Sequence, residues 1–314
     1  MLTGRASAYV ALARPFTLLA PAMGMLAYGL AAAGHGGSFR LTHDDAHHVA
    51  LGAFVAALLN VASNAVNQIF DVEIDRVNKP DRPLPSGALS MAEAWTVTVL
   101  AYAGSLAISA LIHPTLLWIV AFTALLTYAY SGPPFRTKRH WALANLTIAT
   151  PRGFLLPVAG WMAVALPRGD AIPRDLWILA AASGLFVVGA ATTKDYADME
   201  GDRAGGCVTL PIRFGVERSV NLVAPFLVVP WAGIALCAAL GVFAGNHFVL
   251  FWGGASLGVV GLRTVRLLVR DPQALTFAST HPSWVLMYLM MVLSQAVAAI
   301  AYALPPDLLA RYAP

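Results

Sequence analysis

The stretch NVASNAVNQIFDVEIDRVNKPDRPLPSG, residues 60–87, holds the densest run of polar and charged groups in a chain that is otherwise mostly apolar. It begins inside an apolar run and ends in a proline-rich loop, so its acids are expected where a buried helix reaches water. Asn60, Asn64, Asn67, Asp71 and Asp75 recur every three or four residues, which at 3.6 residues per turn predicts one polar face of a single helix, wet or metal-bound. Asn67, Asp71 and Asp75 then stand on successive turns, about 6 Å apart along the axis. These are the oxygen donors that hard cations take. Mg²⁺ binds through one or two carboxylates and fills its shell with water and phosphate oxygens. The competing account is a helix end with solvated acids, but acids at the end of a membrane helix are costly.

A second cluster, KDYADMEGDR at residues 194–203, also ends an apolar run, and Asp195, Asp198 and Asp202 fall at i, i+3 and i+7, one helical stripe. The two regions read as copies. Asp71-x-x-x-Asp75-Arg76 leads to Leu84-Pro85, and Asp198-x-x-x-Asp202-Arg203 leads to Leu210-Pro211. A duplicated half with one acidic site in each copy is expected.

Composition sets the class. The 314 residues are 58% hydrophobic and only 11% charged, with a mean hydropathy of +0.68, far from the roughly one quarter of charged residues in soluble domains. Runs long enough to span about 30 Å of hydrocarbon lie near residues 15–33, 49–70, 92–112, 116–130, 141–166, 176–193, 220–240, 248–268 and 284–304, predicting an all-α integral membrane protein of nine helices forming one domain over 1–314. The first is expected to be an uncleaved span, since Pro15 and Pro21 and the later helices argue against a signal peptide. Arg5, Arg14, Arg76, Lys79, Arg82, Arg136, Lys138, Arg139, Lys194, Arg203, Arg213, Arg218, Arg263, Arg266 and Arg270 fall on one side. Only Arg40, Arg168, Arg174 and Arg311 fall on the other. By the positive-inside rule both acidic clusters face the cytoplasm, for a bacterial protein at the inner membrane. The net charge of +4 therefore serves topology and implies no nucleic-acid partner. Cys207 and Cys237 predict no disulfide.

The segments NQIFDVEIDRVNKPDRPLPSG, YSGPPFRTKRH and KDYADMEGDRAGGCVTLP, in this order, resemble the three cytoplasmic-side motifs of the UbiA superfamily of intramembrane prenyltransferases. The resemblance covers nearly the whole chain. It implies a nine-helix bundle with two pseudo-repeated four-helix halves. Two Asp-rich Mg²⁺ sites, with Mn²⁺ able to substitute, would hold an isoprenoid diphosphate. Asn67, Asp71, Asp75, Asp198 and Asp202 would be the metal ligands, and Asp195 a carboxylate left free to take a proton. Arg76, Lys79, Arg82, Tyr130, Lys138 and Lys194 would contact the donor. Tyr130 and Lys138 are eight apart, where the 4-hydroxybenzoate branch has a shorter Tyr-x-x-x-Lys. This chain departs toward the homogentisate, chlorophyll-synthase and archaeal ether-lipid branches. The expected reaction is prenyl transfer to a hydrophobic, aromatic quinone-precursor-like acceptor. The alternatives are a glycerol-lipid or chlorophyllide-type acceptor, prenyl cyclisation or, outside the superfamily, a cation-coupled transporter, against which stands the clustering of the acids at one membrane face where midplane sites would be expected.

Other polar positions fit this frame. Arg152 lies about 11 residues into its helix, roughly 16 Å deep, and a charge there faces a polar cavity or an anion; homogentisate phytyltransferases have a similar Arg-Gly, which suggests an anionic acceptor. Arg14 either marks the cytoplasmic end of the first span or faces the diphosphate. THDDAHH at residues 42–48 looks like a metal cluster but sits on the far side, where a helix start capped by Thr42 or Asp44 accounts for it. Gly201, Gly205 and Gly206 are expected to lend flexibility to a loop that closes over a ligand.

Overall fold

The computed structural model describes residues 4–276 and 281–308; Arg311, assigned above to the far side, lies outside them. In hydrocarbon a backbone must satisfy its own hydrogen bonds, and the described residues contain helices and no strand. Nine helices among them are long and apolar enough to cross a membrane. They are α2 (Phe16–Gly34), α3 (His43–Phe70), α5 (Met91–Ile112), α6 (Pro114–Ser131), an interrupted span over Trp141–Arg168, another over Arg174–Lys194, α12 (Val216–Ala239), α13 (His247–Arg270) and α14 (Pro282–Ala303). Each matches an expected run to within a few residues, save that α3 begins six residues early, at its cap.

Four features depart from the sequence reading. The chain starts with a short helix, α1 (Gly4–Ala13), whose Ala8 and Leu12 pack on Ala65 and Ile69. The helix expected to carry every residue from Asn60 to Asp75 stops at Phe70; Asp71 (φ −109°, ψ 12°) leads into a separate short helix, α4 (Val72–Asn78). The second acidic stripe is likewise divided. Helix α9 (Arg174–Ala190) tightens into a 3₁₀ turn at Ala191–Lys194, and α10 (Met199–Ala204) starts after Asp198, followed by the short α11 (Leu210–Phe214). The fifth span is α7 (Trp141–Ala149) and α8 (Leu156–Arg168) joined by a π turn at Thr150–Leu155.

Helices in a bilayer approach closely through small residues, and the bundle centre follows that rule. A Cβ at Gly160 of α8 would lie 2.9 Å from Tyr28 Cβ and 3.1 Å from the Met25 carbonyl oxygen, so only glycine permits this α2–α8 crossing. Trp161, Phe186, Leu227, Leu250 and Met290 fill the core beside it. The far end is closed by polar ties. Thr42 caps α3 in a capping box with Asp45, as the His-rich segment suggested, and Arg168 donates to both Asp45 oxygens at 2.9 and 2.6 Å. Tyr302 donates to Asp175 at 2.6 Å, and Asn246 to the carbonyls of Pro305 and Leu308. The opposite end, which holds both acidic segments, is hollow.

Candidate active site

The two acidic segments meet because glycines of α10 leave room for side chains of α4. A Cβ on Gly201 would overlap the Asn78 amide, and one on Gly205 would overlap Ile74. Asn78 donates to the Asp198 carbonyl (3.1 Å) and accepts from the Gly201 N–H (3.0 Å), fixing one helix on the other. These glycines therefore serve close approach, not the loop mobility expected of them; Gly206, at φ +70°, ends α10 in a left-handed turn that glycine tolerates best.

Around the resulting cavity, about 420 Å³, stand Asn67, Asp71, Asp75, Lys79, Arg82, Tyr130, Lys138, Lys194, Asp195, Asp198 and Asp202. Asp71 accepts from Asn67 (2.7 Å) and bonds the buried Lys138 ammonium, with the Arg136 guanidinium 3.5 Å away. Arg82 donates to both oxygens of Asp75 at 2.6 Å, and Lys79 to both of Asp198 at 2.7 and 2.8 Å. Asp195 and Asp202 have no ion pair among the described residues. Burial first, then the neighbouring Asp198 carboxylate, pushes Asp202 up to about 6, and burial likewise raises Asp195. Burial lowers Lys138 to about 8 and Arg14 to about 10. Carboxylates and cations thus share one chamber, open to solvent at Lys79 and buried at Lys138 and Asp195, where charge interactions are strongest.

A second cavity of about 210 Å³ adjoins it deeper in the bundle, lined mainly by apolar side chains of α2, α3, α6 and α14. Arg14, Thr17, Lys194 and Trp284 line both. Arg152, from the π turn, lies on the wall of this deeper cavity and not of the polar one.

Other expectations are corrected. Arg76 does not line the cavity; it bonds the exposed Glu73 one turn earlier on α4, at 2.5 Å. Asn60 and Asn64 belong to a different construction from the acids. The chain breaks at Arg14 (φ 53°) and Pro15, leaving carbonyls that helix hydrogen bonds do not reach. Asn64 donates to the Ala13 carbonyl (2.9 Å) and Thr17 Oγ1 (2.8 Å), Asn60 to Thr17, and Gln68 to the Leu12 carbonyl (2.9 Å). The amide face of α3 is thus a clamp on the broken first helix. That break sets Arg14 between the cavities with one buried guanidinium nitrogen unpartnered. Sequence reasoning left the role of Arg14 open and missed Asn78 altogether. The Arg14-Pro15 break was a signal for the first; nothing local marks the second.

Among the described residues no three His, Cys, Asp or Glu side chains form a ready-made metal cage. The donor chemistry still suits Mg²⁺, which needs only one or two carboxylates from the protein and takes substrate phosphate oxygens for the rest. Asp71, Asp75, Asp198 and Asp202 supply such oxygens on one cavity wall.

Comparison with known proteins places the fold and the family. A homogentisate phytyltransferase from Synechocystis sp. is 34% identical over 209 residues, 65% of this chain and 67% of that one. A digeranylgeranylglyceryl phosphate synthase from Methanoculleus marisnigri is 34% identical over 167 residues, 53% of this chain and 57% of that one. The alignments thus span little more than half to two thirds of these relatives. A UbiA homologue from Archaeoglobus fulgidus, solved bound to DMAPP and Mg²⁺, superposes with a TM-score of 0.66 at 19% identity, covering 93% of this chain and 99% of that one; the likeness is one of fold. Residues 18–281 match the UbiA prenyltransferase family, and the chain belongs to that family.

Proposed function

We propose that this protein moves a prenyl chain from an isoprenoid diphosphate to an aromatic, quinone-precursor-like acceptor, at the cytoplasmic face of a bacterial cell membrane, with Mg²⁺ or Mn²⁺ as cofactor. The observation that carries the reading is the pair of joined cavities: a charged chamber with carboxylates and cations sits over an apolar one, the shape of a molecule with a diphosphate head and a hydrocarbon tail. The metal, when bound through Asp71, Asp75, Asp198 and Asp202, supplies positive charge to the leaving diphosphate.

The residues divide the remaining work. Lys79, Arg82, Lys138, Lys194 and Arg14 neutralise diphosphate oxygens as the allylic C–O bond breaks and its electron pair leaves with the phosphate. The apolar walls keep water from the allylic cation. The acceptor carbon forms the new C–C bond, and its ring proton passes to Asp195, a carboxylate held without a cationic hydrogen-bond partner among the described residues. Lys194, next in sequence, compensates its charge.

The test offers purified protein prenyl diphosphates of several lengths with aromatic and glycerol-lipid acceptors, and reads product mass and diphosphate release. Metal-dependent transfer to an aromatic acceptor, abolished in Asp71→Ala and Asp198→Ala, is expected. Unimpaired turnover in EDTA, or no transfer from any donor, rejects the reading; products only with glycerol lipids replace the acceptor. Orientation is tested separately. In a Cys207→Ser background, Ser86→Cys should be shielded from an impermeant thiol reagent in intact cells, and labelling from outside reverses the topology.

A further inference from the structure

Helix α13 ends in three arginines, Arg263, Arg266 and Arg270, that take no part in the chamber. They lie at the chamber's end of the bundle, since Leu275 and Thr276, just past the helix, stand on its wall. At that end Arg5, Arg76, Lys79, Arg82 and Lys138 each pair with a carboxylate. The three of α13 have neither an ion pair nor a hydrogen bond among the described residues. Asp271, next in sequence, accepts instead from the Ala274 N–H at 3.1 Å.

Their spacing, i, i+3 and i+7, makes one stripe of the helix. Gly261, Thr264 and Leu268, on the opposite side of the same turns, are buried, and a Cβ on Gly261 would overlap the Leu227 carbonyl of α12. The arginines are exposed, and their line runs on through the exposed Val259 and Trp252. In a bilayer this face looks into lipid.

Depth distinguishes the stripe from a signal of topology alone. With the polar cap at Asn246 on the far boundary, about 20 residues of helix cross about 30 Å of hydrocarbon. The Arg263 backbone then lies inside the hydrocarbon, Arg266 at its edge, and Arg270 about 6 Å beyond, among headgroups. Orientation needs only positive charge past the helix end, which Arg270 supplies. A guanidinium two turns further in, facing lipid with no carboxylate, is costly unless its stem carries it outward to an anion. Arg263 reaching outward and Arg270 reaching back meet at the level of lipid phosphate, and a guanidinium fork binds phosphate through two parallel hydrogen bonds.

The lower part of the line suits the rest of such a molecule. Trp252 precedes Arg263 by eleven residues, about 16 Å along the axis, close to the hydrocarbon depth of one leaflet. We propose that Arg263, Arg266 and Arg270 bind the phosphate of an anionic phospholipid whose acyl chains lie along Val259 and Trp252. The site is separate from both cavities and does not rest on the transferase reading.

Native mass spectrometry of the detergent-solubilised full chain measures binding of dioleoylphosphatidylglycerol, dioleoylphosphatidylcholine and inorganic phosphate, with thermal midpoints recorded to establish folding. Wild type should hold phosphatidylglycerol about tenfold or more tightly than phosphatidylcholine, and excess inorganic phosphate should not displace it. Replacing all three by glutamine, Arg263→Gln, Arg266→Gln and Arg270→Gln together, should erase the preference. The matching lysine variant keeps the charge without the fork and should retain part of it. Arg139→Gln, Arg203→Gln and Arg218→Gln together remove as much exposed charge from the same end and should leave the preference within about twofold, being screened from the site. Equal binding of the two lipids by wild type overturns the proposal, as does a preference that survives the glutamine triple or is lost as fully in the second triple. Displacement by inorganic phosphate makes this a site for the free anion and refutes the lipid. Where the glutamine triple does not fold, Arg263→Gln alone decides: the preference should fall about threefold or more, and an unchanged value rejects the site.

Discussion

Lys79 Nζ lies 2.7 and 2.8 Å from the two carboxylate oxygens of Asp198, a bond between segments 119 residues apart. The lysine side chain is 39% exposed, and pairs this open contribute at most about 1 kcal/mol to stability. Lys79→Ala should therefore shift the thermal midpoint by only a few degrees while weakening prenyl diphosphate binding about tenfold. Calorimetry with geranyl diphosphate plus Mg²⁺ measures the second; a large midpoint loss with unchanged affinity would make the pair a strut.

Asn78 is the reverse case. It touches no carboxylate, yet it bridges α4 and α10 through two backbone contacts. Removing both leaves partly buried groups unpaired, at a cost of about 1–3 kcal/mol. Asn78→Ala and Gly201→Ala should lower the midpoint by several degrees and weaken donor binding as well, because the acids lose their registration. Donor binding unchanged in both variants would separate the clamp from the site.

Asp202 gives opposite pH slopes to stability and to binding. Its carboxyl is raised from an ordinary 3.8 to about 6, chiefly by burial, so between these values the folded protein holds a proton that the unfolded chain releases. Stability from this group is full below about pH 4 and lost by about pH 6. Metal-assisted donor binding needs the anion and should strengthen over the upper part of that window. Thermal scans without ligand and geranyl diphosphate titrations with Mg²⁺, from pH 4.5 to 7.5, should cross in this way. Asp202→Asn should flatten the first curve; an unaltered slope excludes the assignment.

Two residues that sequence spacing placed with the acids should behave differently from them. Asn64→Ala loses bonds to Ala13 and Thr17 and should cost about 1–3 kcal/mol of stability with the metal requirement intact. Arg76→Ala breaks only an exposed pair and should leave both midpoint and turnover within about twofold of wild type. A turnover loss of a hundredfold in Arg76→Ala would return it to the site.

The membrane helices were readable because about twenty consecutive apolar residues admit one structure in a bilayer, and the acids because charge at such a helix end stands out. Periodicity, however, assumes an unbroken helix. It grouped Asn60 and Asn64 with Asp71 because nothing in the spacing reveals that α1 ends beneath them, and it carried the helix through Asp71. Arg76 looked like a ligand by adjacency alone. Asn78 was silent because its partners, the Asp198 carbonyl and the Gly201 N–H, are backbone atoms 120 and 123 residues away.

The shared wall of Arg14, Thr17, Lys194 and Trp284 gives the two chambers a common waist. An amphiphile can thread such a waist in only one direction, head outermost, because the reverse would strip a charged head of its counter-ions and leave a hydrocarbon chain among salt bridges. The same asymmetry acts after a head is severed. A tail that has lost its charged head keeps only dispersion contacts with the apolar chamber, contacts that lipid offers equally well.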